Sequence, residues 1–460
     1  MKFAKSVAVL SALAVISTPI AASAAKKTTK KKVVTKKTAA TTIATATKTI
    51  AAGTIECKGQ YKGKTLNIFS PVRDSATDAA ATQRANAYKP FEECTGAKVK
   101  FEGTDQFETQ VNVRLAGGNA PDLIEFPQPG LLQSIAAKGQ LKALTGAALK
   151  SAQNDFISGW LEYGTQGGKV YGIPQTANIK SLVWYSPKAF ADKGYKIPTS
   201  IQELTALSDK IVADGGIPWC VGAESGVATG WILTDWMEDF MLRTNGEKVY
   251  DQWVNHTIPF NDPKVKAVMD AVGAFVKNPK YIGSAEGVKN IATTKFQEGG
   301  FPILAGKCYM HRQASFYKDI WPTGTTIGDT GQVNTFYLPS PAGGPKYMLG
   351  AGDIWAAGTD KPETMDALAY GSSLEYDYGL LQVRSELFPR KDIDTAKYTD
   401  ATNKKFADLL KGADVFRFDG SDLMPGAVGA GTFWTEITKW ITGQSTDDTL
   451  NNIEKSWPKS

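Results

Sequence analysis

Residues 65–141 alternate between two hydrophobic periods, and that alternation limits the fold more than any other feature of the chain. TLNIFSP (65–71), KVKFEGT (98–104) and DLIEF (122–126) are short apolar runs of strand length. The segments 75–96, 109–118 and 130–141 carry helical periodicity, with glycine at or near their C-terminal ends. A β-α-β-α-β-α order predicts a mostly parallel sheet with right-handed crossovers. Ligands of such sheets sit beyond the carboxyl ends of the strands. Here those ends are Ser70 to Asp74, Thr104 to Gln106 and Phe126 to Gln128.

Beyond this unit the chain is extended over 168–190, helical over 201–216, extended again over 333–358 and helical from about 362, with a last helical stretch at 432–443. Roughly 400 folded residues exceed one hydrophobic core and predict two domains. Extended segments recurring between compositionally distinct halves predict that the chain crosses between them more than once. Trp219, Trp236 and Trp253 are expected in the core, and His311 in a structural role.

The N-terminus reads as processing and tethering sequence. Residues 1–25 have a basic start, an apolar run of about a dozen residues and a small-residue exit at Ala22-Ser23-Ala24, the pattern of a secretory signal. The first cysteine, Cys57, lies far from that run, so no lipid anchor is expected. Residues 26–53 are rich in Lys, Thr and Ala without an aromatic or an acid, and are expected to be a disordered tether. The formal charge of +6 includes Lys2, Lys5 and eight lysines of 26–52; subtracting these ten leaves −4 on residues 53–460. A mildly acidic body argues against nucleic acid as partner. Four cysteines in an exported chain predict two disulfides, with three possible pairings. Cys57 with Cys94, closing the first strand–helix unit, and Cys220 with Cys308 are the expected pairs.

Much chemistry has no residues to carry it. Two histidines, His256 and His311, without Cys-x-x-Cys or His-x-x-x-His spacing, speak against a transition-metal site and a Ser-His-Asp triad. The segment FDGSDLMPGAVGAGTFW (418–434) contains Gly-x-x-Gly-x-Gly, but no strand runs into it and no acid follows about 20 residues on, so a dinucleotide cradle is not expected. A glycosidase needs two carboxylates flanking a sugar bond. Asp105, Glu224, Asp353, Asp419 and Asp422 keep that alternative open.

Four segments carry a family resemblance. GGNAPDLIEFPQPGLLQSIAAKGQLKAL (117–144) resembles the Gly-x-x-Pro-Asp signature of the extracellular solute-binding proteins of sugar ABC importers, the group of maltose-binding protein. GKVYGIPQTANIKSLVWYSPKAFADKGYKIPTSIQEL (168–204) resembles that group's first inter-domain crossing, and FQEGGFPILAGKCYMHRQASF (296–316) its strand toward the ligand. FDGSDLMPGAVGAGTFWTEITKWITG (418–443) resembles the end of α-glucoside-type members. Together the matches span nearly all of 56–460.

The resemblance implies an α/β, two-lobed periplasmic-binding-protein-like fold, each lobe a mostly parallel sheet flanked by helices, joined by a hinge of crossing strands. Lobe 1 would comprise 54–178 and 348–412, lobe 2 179–347 and 413–460. It implies an exported, non-enzymatic monomer that binds an oligosaccharide, of α-glucoside type, in the cleft and delivers it to the membrane permease of an ABC importer, with no cofactor and no metal. The alternatives are a secreted glycoside hydrolase or lyase, and a wall-associated protein that adheres through its lysine tail.

Carried over by position, Phe126 and Gln128 match first-lobe sugar contacts, Asn178 and Lys180 the first crossing, and Asp353 the return crossing. Glu224, Ser225 and Trp231 match acidic and aromatic contacts of the second lobe. Arg312 and Gln313 stand where maltose-binding protein has a stacking Trp, Arg312 being either a ligand contact or an ion-pair partner of Asp353 or Glu224. Phe126 is either a contact or the last core residue of its strand. Trp434, ten residues after Met424, matches a stacking Trp. Asp419 and Asp422 are hydroxyl-binding or turn-capping candidates, with capping favoured for Asp422. Sugar chemistry suits these types, because aromatic faces cover C–H surfaces and carboxylates and amides pair with hydroxyls.

Overall fold

A computed structural model describes residues 48–75, 78–157, 159–384 and 386–458. The signal and residues 26–47 of the tether lie outside the described residues. Within the stretch expected to be disordered, Thr49–Ile50 pairs antiparallel with Ile55–Glu56. Ile50 and Ala51 are buried there, so apolar contact orders the chain earlier than composition implies. No helix among the described residues is long and apolar enough to cross a membrane.

The alternating segment builds the first lobe. Thr65–Ser70 lies between Lys98–Gly103 and Leu123–Phe126, parallel to both. Ile354–Ala357 and Gly172–Pro174 extend this sheet to five strands, each antiparallel to its neighbour because each belongs to a chain crossing. The helix expected over 75–96 is two helices, Ala80–Asn86 and Lys89–Thr95. Pro90 explains the break, since its ring excludes the carbonyl four residues back and it has no N–H to donate. Gly96 closes the second helix at φ 78°.

The second lobe is helix-rich. Ile201–Ala213, Trp231–Val254 with a break at Gly246, Pro263–Val276 and Trp434–Ile441 surround one apolar core. Trp219, Trp236 and Trp253 are all buried in it, as expected, and Trp219 meets Trp236 edge-on at 5.1 Å. The sheet here differs from expectation. Leu182–Tyr185 runs antiparallel to both Met310–Arg312 and Asn334–Tyr337. These strands are joined by long excursions rather than single crossover helices, so nothing imposes a parallel order. Ala401–Lys411, which the expected division places in lobe 1, packs on this sheet through Phe406 against Trp184.

Crossing strands knit the lobes together. Tyr347–Ala351 pairs parallel with Val415–Phe418 and antiparallel with Asn178–Ile179. The Gln175 N–H donates to the Asp353 carbonyl at 2.8 Å, and the Lys180 N–H to the Leu349 carbonyl at 2.8 Å. A side chain at Gly352 would overlap the Thr176 carbonyl, so the two crossings approach as closely as backbones can.

Both expected disulfides are present, Cys57–Cys94 and Cys220–Cys308, spanning 37 and 88 residues. Replacing both members of either pair by alanine should lower the unfolding free energy by about 2–4 kcal/mol. Urea denaturation with and without reductant measures this; an unchanged midpoint in the variant contradicts it.

Candidate functional site

A cavity of about 530 Å³ lies between the two lobes, within the range of small-molecule sites. Its first-lobe wall is formed by chain leaving the three parallel strands: Pro71 to Ser75, Thr104 to Asp105, and Pro127 to Gln128. Thr176, Asn178, Lys180 and Asp353 come from the crossings, Ser225 and Trp231 from the second lobe, and Asp422 and Trp434 from the C-terminal segment.

Lys180 lies beside the cavity yet is only 5% exposed. Its Nζ is 2.8 Å from Asp235 and 4.0 Å from Asp422, and it ion-pairs closely with Asp419. Burial opposes its charge, but Asp235 and Asp419 outweigh burial and raise its pKa well above the ordinary lysine value. Below this, Arg312 is fully buried, with Nη1 3.0 Å from Asp235 and Nε 3.0 Å from Asp239. Arg243 and the Ser181 hydroxyl also bind Asp239.

The acids around these cations divide by environment. Burial would raise Asp419, but Lys180 overrides it and pulls Asp419 down to about 2. Asp235 is pushed up to about 6 by burial against the pull of Lys180 and Arg312. Burial, reinforced by Asp419, raises Glu238 and Asp422 well above the carboxylate range. Asp235, Glu238 and Asp419 are close enough to share a metal ion, but the Lys180 ammonium already pairs with two of them, and a second cation there would meet repulsion.

A second network holds the opposite end. Arg84, 4% exposed, pairs with Glu125, with Glu386 at 3.0 Å and with Asp353 at 3.3 Å. The Thr176 hydroxyl donates to the same Asp353 oxygen at 2.7 Å, which fixes this carboxylate at the cavity wall. Trp231, Phe296 and Phe316 supply an aromatic face, with ring centroids 5.2 and 6.1 Å from that of Trp231. Four cavity-lining side chains keep a buried polar atom without a hydrogen-bond partner among the described residues: Arg84 Nε, Gln128 Oε1, Asn178 Oδ1 and Trp434 Nε1. Buried polar atoms are nearly always paired, so each of these four lacks the partner that such an atom ordinarily has.

Residues 73–331 match the family model of the bacterial extracellular solute-binding proteins. The chain belongs to this family. It is 40% identical over 379 residues to the osmoprotective compounds-binding protein GgtB of Synechocystis, covering 81% of this chain and 88% of that protein. To the alpha-glucosides-binding periplasmic protein AglE of Rhizobium meliloti it is 36% identical over 411 residues, with coverage of 86% and 87%. A solved chitin oligosaccharide binding protein superposes with a TM-score of 0.72 at 20% identity, covering 85% of this chain and 97% of that one. RafE in complex with raffinose gives 0.66 at 19% identity, with coverage of 85% and 98%. These two structures share the two-lobed fold.

In this solute-binding protein, seven of the residues expected at a ligand line the cavity: Gln128, Asn178, Lys180, Ser225, Trp231, Asp353 and Trp434. Five do not. Phe126 is the buried end of its strand, edge-on to Phe107 at 5.6 Å. Glu224 turns back to accept from the Gly226 N–H at 2.8 Å. Arg312 pairs with Asp235 and Asp239, not with Asp353 or Glu224. Gln313 is buried and accepts from the Ala314 N–H at 2.7 Å.

Asp419 and Asp422 exchange their expected roles. Asp419 caps Gly420–Leu423 by accepting from the Asp422 N–H at 3.0 Å, and Asp422 is the one at the cavity. Arg84, Glu108 and Glu386 also line it and carry no local motif; Glu108 lies just past the strand end at Thr104 to Gln106, the one hint the sequence offers.

Arg312→Ala leaves Asp235 and Asp239 short of a buried counter-charge. It should destabilise the unliganded protein by about 3–5 kcal/mol, measured by denaturant unfolding. A loss of ligand affinity with unchanged stability would contradict the structural role.

Proposed function

We propose that this protein binds an uncharged oligosaccharide of α-glucoside type in the inter-lobe cavity, outside the cytoplasm, and delivers it to the permease of an ABC importer. The observation that carries this reading is the cavity's combination of an aromatic face with unpartnered buried amide and indole atoms. Gln128 Oε1 and Asn178 Oδ1 would accept from sugar hydroxyls, Trp434 Nε1 would donate to one, and Trp231 would cover C–H surface. The cavity's buried cations Arg84, Lys180 and Arg384 are each already held by protein carboxylates, which leaves little attraction for an anionic ligand.

The name of AglE, an alpha-glucosides-binding periplasmic protein, agrees with this ligand class. We divide the lobes as 54–178 with 348–400, and 179–347 with 401–460, moving 401–411 to the second lobe because of its packing on Trp184. A monomer that binds, releases its ligand unchanged and closes by hinge motion completes the proposal.

Calorimetry with maltose, trehalose and sucrose should give a micromolar dissociation constant, about −8 kcal/mol, for at least one of them, with no monosaccharide released. Turnover without tight binding would favour a hydrolase and overturn the proposal. Trp434→Phe keeps a ring but removes Nε1, whose hydrogen has no protein acceptor. Binding should weaken by about 1 kcal/mol without loss of thermal stability in the unliganded protein; unchanged affinity removes Trp434 Nε1 from the contact set.

A further inference from the structure

We propose that Asp422 and Lys180 form a clamp for two adjacent hydroxyls and set the discrimination between sugar epimers. The assignment rests on reading the cavity as a sugar site. It takes hydroxyl binding, one of the two roles the sequence leaves open for Asp422, over the turn capping that the sequence favours.

Asp422 differs from Asp419 and Asp235, the two carboxylates that hold Lys180, in that its carboxyl group accepts no hydrogen bond among the described residues. Its neighbour Asp419 receives the Asp422 N–H at 3.0 Å, the Ser421 hydroxyl at 2.9 Å and Lys180. Asp235 receives Lys180 and Arg312 at 2.8 and 3.0 Å. Among the described residues, no donor reaches the carboxyl group of Asp422, although the residue is only 6% exposed and lines the cavity. Its sole charged partner within range is Lys180, at 4.0 Å, too far for a hydrogen bond.

Lys180 supplies the other half. An ammonium has three N–H donors in tetrahedral array, and Asp235 and Asp419 engage two of them. The third is left for the cavity side, between Asp422 and the Trp231 ring, whose centroid is 5.2 Å from Nζ. One hydroxyl can accept from Lys180 while its neighbour on the sugar ring donates to Asp422, with the C–H face of the ring against Trp231. With the ring face on Trp231, both hydroxyls must be equatorial, in the plane of the ring, to reach both groups. An epimer that makes one of them axial loses its hydrogen bond to Lys180 or to Asp422 and leaves a buried polar group unpaired, which is how a polar site rejects an analogue.

The rest of the cluster fixes the clamp's geometry. Lys180 cannot swing away without breaking its pairs to Asp235 and Asp419. Asp422 is held by its own N–H on Asp419, so both halves hang from the same capping carboxylate.

The test uses methyl α-D-glucopyranoside and its C2 and C4 epimers, the α-mannoside and α-galactoside, on the full chain by calorimetry. Wild-type protein should prefer the glucoside to at least one epimer by tenfold or more. In Asp422→Ala that preference should fall below threefold, with affinity for the glucoside down at least tenfold and melting of the unliganded protein not lowered. Asp422→Asn, which preserves shape, should lose at least threefold in discrimination. Wild-type binding with unchanged affinity and discrimination in both variants overturns the clamp alone. Failure of the wild type to bind any of the three glycosides overturns the clamp together with the uncharged-glucoside reading.

Discussion

The site depends on one buried cation. Lys180 sits on the first crossing, where the chain leaves lobe 1, and its ammonium joins that crossing to Asp235 on the long second-lobe helix and to Asp419 at the start of the C-terminal segment. Three stretches distant in sequence therefore meet at one charge. Isolated, any of these groups would resist burial by several kcal/mol. Lys180 holds Asp419 ionised, and Arg243 and Arg312 hold Asp239 ionised, where burial alone would protonate them. Buried ion pairs are often no more stabilising than apolar residues of the same volume; what this one adds is register, because the ammonium meets carboxylates from two other segments.

That register determines what the cavity presents. Because Asp419 is consumed as cap and counter-ion, Asp422 is turned outward, and Trp434 follows through the close turn of Val428–Phe433. The glycines of GAVGAG serve this turn: a side chain at Gly429 would overlap the Ser421 carbonyl. A segment that looks like a phosphate cradle is a tight packing element placing a carboxyl group and an indole at the cavity wall.

Much of this was legible in the sequence, and the failures have physical causes. The first lobe follows from hydrophobic period alone, and the rule about strand ends located Pro71 to Asp74, Thr104, Asp105, Pro127 and Gln128 without any family knowledge. The same rule overreached at Ser70, Gln106 and Phe126, which do not line the cavity; Ser70 and Phe126 are the buried last residues of their strands. Arg312 and Gln313 were misplaced since a charged or amide side chain near a ligand position looks the same whether it meets sugar or a buried carboxylate. The antiparallel second sheet was not legible, as its strands pair across more than a hundred residues and leave no local pattern.

The central claim is that the charge network seats a neutral sugar between the lobes. A crystal structure of the protein with a bound α-glucoside such as maltose tests it most directly. The account predicts a sugar ring against Trp231, hydroxyls within hydrogen-bond distance of Asp353, Trp434 Nε1 and Asp422, and Lys180 still paired with Asp235 and Asp419. A sugar bound outside this cavity, or Lys180 released from those two carboxylates on binding, would contradict it.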